Sequence, residues 1–118
     1  MKENDRQTEQ MKKRYARLAA RAANLGPVLQ GTITERTIRR EDPERPGEER
    51  CYGPYYQWTF KRDGKTATVN LSASQARAYQ RAIEEHRKLE VICQEMRELS
   101  LAILENTTTG VKRRKPKE

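Results

Sequence analysis

Gln57, Thr59 and Lys61 alternate along the stretch YYQWTFKR, and Thr66, Thr68 and Asn70 alternate along KTATVNL. Side chains of an extended strand point to opposite faces with period two, so each set shares one face. Between the stretches lies Arg62-Asp63-Gly64-Lys65. A central Asp-Gly is a strong hairpin signal, and a two-residue turn of this kind sets the register. Arg62 then faces Lys65, Phe60 faces Ala67, Trp58 faces Val69 and Tyr56 faces Leu71. The other face carries Tyr55, Gln57, Thr59 and Lys61 against Thr66, Thr68 and Asn70. Such side chains hydrogen-bond to base edges: Arg and Lys read guanine in a major groove, and Gln or Asn reads adenine. Continuing the alternation into VLQGTITERTIRR places Leu29 and Ile33 inward, and Gln30, Thr32, Thr34, Arg36 and Arg40 outward. Glu35 falls on the inward parity, so this outer face offers donors and no carboxylate. The competing reading is a merely solvated face, since antiparallel sheets commonly leave one side in water.

Two further basic features accompany the sheet. The C-terminal VKRRKPKE carries Lys112, Arg113, Arg114, Lys115 and Lys117. Clustered Lys and Arg neutralise phosphates and release counterions, with a log–log salt slope of about −0.9 per contact. Such an arm holds nucleic acid without reading sequence, and the same composition suits a solubilising end. Lys12, Lys13, Arg14, Arg17 and Arg21 lie in the first helical segment, as phosphate contacts or as solvated surface. A formal net charge of +8 favours an acidic partner such as nucleic acid or an anionic surface.

Catalytic constellations are not evident. His86 is the one histidine and stands seven residues before Cys93. Two ligands do not make a zinc site, which takes four. With no nucleophile–base arrangement, paired-carboxylate motif or phosphate-cradling glycine loop, the expectation is no enzyme, no cofactor and no metal. Cys51 and Cys93 lie far apart without a CxxC pattern. That argues against a disulfide framework and for a cytoplasmic protein. MKENDRQTEQMKKR lacks the apolar core of a signal peptide. No run approaches the roughly 18 to 20 apolar residues of a membrane span, so no membrane partner is expected.

The elements that must position these residues follow from periodicity. A chain of 118 residues, 34% hydrophobic and 36% charged, allows one domain with a thin core. We place that domain at residues 1–106 and a flexible basic tail at 107–118. Met11, Tyr15, Leu18, Ala22 and Leu25 make one apolar stripe of a helix over about residues 5–25, stopped by Gly26-Pro27. Residues 28–40 read as a strand, and EDPERPGEER, residues 41–50, as an acidic loop with five carboxylates and two arginines. Ser72-Ala73-Ser74-Gln75 fits a capping box that opens a long helix over about residues 73–106. In its second half Leu89, Ile92, Met96, Leu99 and Ile103 are spaced three, four, three and four. This is a coiled-coil-like seam that wants another helix. The first helix is the obvious partner, from the same chain or from a second copy in a dimer. The fold class is α+β: a helix, a three-stranded antiparallel sheet and a long C-terminal helix, in the order α-β-β-β-α.

The pattern ARLAARAANLGPVLQGTI…GPYYQWTFKRDGKTATVNL…ARAYQRAIEEHRKLEVICQEM, over about residues 17–101, resembles a family of small prokaryotic proteins of unknown function. Gly53-Pro54-Tyr55-Tyr56 and Gly64-Lys65-Thr66 carry it most sharply. The resemblance implies a leading helix, a Gly-Pro-Tyr-aromatic hairpin, a long closing helix and an association with transposases or other mobile elements. Many members of that family carry a cysteine cluster between the first two strands, where this chain has EDPERPGEERC and only Cys51. Any metal site of that cluster is therefore expected to be lost. The order of three strands and a helix, with YYQWTFKRDGKT as central hairpin, is also similar to the arm-binding domain of tyrosine recombinases. That likeness implies a sheet lying in the major groove.

These features lead to an expected non-enzymatic, nucleic-acid-binding accessory protein, with DNA favoured over RNA. Arg36, Gln57, Thr59, Lys61, Thr68 and Asn70 would face the groove. Tail and helix cations would hold phosphates. Tyr56, Trp58, Phe60, Val69 and Leu71 would hold the sheet on the helices. The rival is a protein-interaction or oligomerisation module using the helical seam, and a subunit of a larger nucleoprotein complex would satisfy both.

Overall fold

The computed structural model describes residues 3–110 of the chain. The elements run α1 (Glu3–Ala23), β1 (Thr32–Glu41), β2 (Glu49–Arg62), β3 (Lys65–Leu71) and α2 (Ala73–Thr107), an α+β fold in the order α-β-β-β-α. The chain forms two compact units. One takes Gly26–Lys88, with the sheet and the first half of α2. The other takes α1 and α2 from Leu89 onward.

In the sheet unit the strands lie antiparallel in the order β1-β2-β3. The Asp-Gly turn sets the register expected of it, pairing Arg62 with Lys65, Trp58 with Val69 and Tyr56 with Leu71. Asp63 and Gly64 both have positive φ, at 52° and 77°, as a two-residue turn matched to strand twist requires. On the helix side Trp58 stacks on Phe60 at 3.8 Å and meets Tyr79 of α2 edge-on at 5.5 Å. Such aromatic pairs add about 0.5–1.5 kcal/mol beyond their buried area. Leu71, Ala76 and Ile83 are buried here, while Val69 at the far edge stays exposed. The capping box is formed: Ser72 Oγ accepts the Gln75 amide at 3.2 Å, and Gln75 Oε1 accepts the Ser72 amide at 2.9 Å.

Three boundaries differ from the sequence expectation. β1 begins at Thr32 rather than at residue 28, because the preceding stretch docks on α2, where the Leu29 amide donates to the Ala82 carbonyl at 3.1 Å. Gln30, expected on the outer face, instead accepts the Trp58 indole N–H at 2.9 Å through its carbonyl, and its side chain lies 3.3 Å from His86 Nε2. The acidic loop is shorter than expected, because Glu41 pairs with Glu49 and Arg40 with Arg50 in the ladder. Asp42, buried, ties the loop together by accepting the Glu44 amide at 2.9 Å and the Arg50 guanidinium at 3.1 Å. Finally, α1 ends at Ala23, and the amides of Asn24 and Leu25 close tighter turns on the carbonyls of Arg21 and Ala22.

In the helical unit Leu18 is completely buried, and Thr8 and Ile92 nearly so. Asn4 Nδ2 donates to the Asn106 carbonyl at 3.1 Å, and Arg14 bonds Glu95 at 2.8 Å. Residue numbers rise along α1 as they fall along α2, so the two segments run antiparallel and pair within one chain. Leu89, Met96, Leu99 and Ile103 are half-buried along this seam. Thr8, whose hydroxyl donates to the Asn4 carbonyl at 2.8 Å, extends the α1 stripe beyond its apolar residues.

Candidate nucleic-acid interface

The outer face of the sheet is built from cross-strand pairs. Thr32 stands opposite Thr59, Thr34 opposite Gln57 and Arg36 opposite Tyr55. Gln57 stands opposite Asn70, Thr59 opposite Thr68 and Lys61 opposite Thr66. Directly opposed side chains on one face interact. The Gln57 amide donates to Asn70 Oδ1 at 3.1 Å, and the hydroxyls of Thr59 and Thr68 are 3.4 Å apart. Five of the six sequence-assigned sheet residues thus line up along β2 and β3, and Arg36 joins them from β1.

Arg36, Arg40 and Lys61 make no ion pair among the described residues, whereas Arg50 is held by Asp42 at 3.1 Å and Glu44 at 3.7 Å. The acidic loop thus spends two carboxylates on its own arginine. Among the basic residues of α1, Lys12 is paired with Glu9 and Arg14 with Glu95. Lys112, Arg113, Arg114 and Lys115 lie outside the described residues.

The outer face also holds an apolar patch that sequence reasoning missed. The ladder slips between Arg36 and Ile38, so that Arg36 opposes Tyr55 but Ile38 opposes Tyr52. One residue of β1 then faces two of β2, Gly53 and Pro54, which is a β-bulge. The extra residue brings Tyr52 to the same face as Tyr55 despite their odd separation. Ile38, Arg40, Tyr52 and Tyr55 line a cleft of about 400 Å³. Tyr55 and Ile38 also border a second cleft of about 530 Å³, whose polar walls include Arg36, Gln57 and Asn70. Two signals could have revealed the patch. Ile38 has the parity of Arg36 and Arg40, and Gly-Pro inside a strand pattern marks a bulge.

Chemistry elsewhere is sparse. Among the described residues no group of three or more His, Cys, Asp or Glu could hold a metal ion. Cys51 and Cys93 are free thiols. No helix among these residues is long and apolar enough to cross a membrane. No family model matches the chain, and no curated protein and no solved structure matches it at a significant level.

Proposed function

We propose that this protein binds nucleic acid without catalysing a reaction, as an accessory factor of a mobile element, using the outer face of its sheet. The observation that carries the reading is the outer face itself. β1 presents Arg36 and Arg40, and β2 presents Lys61, all without ion pairs among the described residues, beside the Gln57–Asn70 pair that joins β2 to β3. A net charge of +8 adds long-range attraction for phosphate. DNA is favoured because a B-form major groove admits strands, whereas the A-form groove of RNA is too deep and narrow to be read. The mobile-element setting rests on the resemblance carried by Gly53-Pro54-Tyr55-Tyr56 and Gly64-Lys65-Thr66.

Fluorescence anisotropy with a random-sequence duplex, over a salt series, tests this reading. Binding should weaken steeply with salt. The Gln57→Ala/Thr59→Ala/Lys61→Ala variant should bind more weakly, with a slope shallower by about 0.9 for the lost lysine. Truncation after Gly110 should lower the slope further without abolishing binding. Absence of binding at low salt sinks the proposal.

One observation favours a second reading, a protein-interaction or dimerisation module. In the helical unit Val91, Leu101 and Leu104 are largely exposed, and Tyr15 partly so. The seam Leu89, Ile92, Met96, Leu99 and Ile103 already serves α1 within the chain, so a partner would use this other face. Light scattering of the full chain against Leu101→Ser/Leu104→Ser distinguishes a dimer from a monomer.

A further inference from the structure

We infer that the Tyr52–Tyr55 patch is a stacking site for unpaired bases, so that the preferred ligand is single-stranded rather than duplex nucleic acid. The inference rests on the proposed function for nucleic-acid binding and its phosphate contacts, and it makes groove binding of a duplex the weaker of two modes of the same face. Tyr52 and Tyr55 are 39% and 47% exposed, in a chain that has seven aromatic residues in all, five of them tyrosine. Trp58 and Phe60, two positions apart on the same strand, are turned to the helix side and stacked on each other. The two tyrosines therefore do not serve the core, and the bulge is what places them together on the outer face. Tyr55 forms part of the wall of both clefts, so open space adjoins it in each. Each cleft also has one arginine, Arg40 in the first and Arg36 in the second. An aromatic platform flanked by cations is the combination that holds single strands, because every base has a π-face and every linkage a phosphate. A duplex keeps its bases stacked on one another and offers the rings nothing to stack on. The Gln57 and Asn70 amides at the edge of the second cleft can bond the polar edge of an exposed base.

The test compares the full chain bound to a short oligothymidine strand, to the same strand annealed to its complement, and to an abasic strand of equal length. Expected is tighter binding to the single strand than to the duplex or the abasic strand. Tyr52→Ala/Tyr55→Ala should weaken single-strand binding by roughly fivefold to a hundredfold per ring and leave the duplex little changed. Tyr52→Phe/Tyr55→Phe keeps the rings and should bind as the parent does. Both positions are exposed, so circular dichroism should show the same fold in every variant. Equal affinity for the three ligands, with no effect of the alanine variant, overturns the stacking site and leaves the proposed function standing. Failure of all three to bind at low salt overturns both, and makes an extended peptide the candidate occupant of the patch.

Discussion

Gly31 shows how one residue sets the start of the sheet. Its φ is 121°, and a Cβ there would sit 2.5 Å from both the Thr59 carbonyl and the Trp58 indole nitrogen. An alanine would strain the backbone and push against the indole that bonds Gln30. Gly31→Ala should therefore cost more than about 1 kcal/mol, read from urea unfolding followed by Trp58 fluorescence. Gly64→Ala meets no neighbour within 4 Å and should cost less. Glu85 offers a test by pH. Its carboxylate is held below the usual range by the Lys88 ammonium, 3.2 Å away, and by the Gly26 amide at 3.4 Å. A depressed folded-state pKa contributes stability that is present above the ordinary value and is lost as pH falls through the lowered one. Glu85→Gln should lower stability slightly near neutrality, where the wild-type carboxylate contributes, and flatten the acid limb below pH 4.5, where wild type loses that contribution and the variant has none to lose.

At the scale of elements, β2 has three environments. From Tyr56 to Thr59 it is flanked by β1 and β3, from Glu49 to Tyr55 by β1 alone, and from Phe60 to Arg62 by β3 alone. Backbone groups with one neighbouring strand open more readily. Amide exchange should be faster over residues 49–55 than over 56–59, and a ligand on the Tyr52–Tyr55 patch should slow the former. Gly53, at φ 115° with the Arg36 carbonyl 2.9 Å from its would-be Cβ, holds the bulge, so Gly53→Ala should raise exchange selectively in that ribbon. The start of α2 depends on Ser72, and Ser72→Ala should cost about 1 kcal/mol of stability by thermal or urea unfolding.

The whole molecule has little buried apolar material to draw on. Among the described residues five hydrophobic side chains form the buried core, and of these Leu18 alone is wholly enclosed. Leu18→Ala should remove about 2–5 kcal/mol, a large part of the 5–15 kcal/mol typical of a domain, and should lower the midpoint of the helical circular-dichroism transition accordingly. Leu101→Ser, at a site 60% exposed, should change monomer stability by no more than about 0.5 kcal/mol, and a larger loss would show that a partner covers it.

Local rules were enough for much of this fold. The Asp-Gly turn dictated the β2–β3 register, the Ser72–Gln75 box dictated the start of α2, and three-four spacing dictated which side of each helix is apolar. Each of these depends on residues only a few positions apart, so the sequence by itself determined them. It also placed Gln57, Thr59, Lys61, Thr68 and Asn70 on one face, since alternation is strict where the ladder is regular. Tertiary structure decided what depends on distant partners. The bulge opposite Arg36 and Ile38 is a property of two strands together, and it reversed the parity that would have hidden Tyr52. The capture of Leu29 and Gln30 by α2 took them out of the strand that their side chains suit. Pairing of α1 with α2 inside one chain was also beyond local reading, because an apolar stripe specifies that it will be covered and not by which copy of the chain.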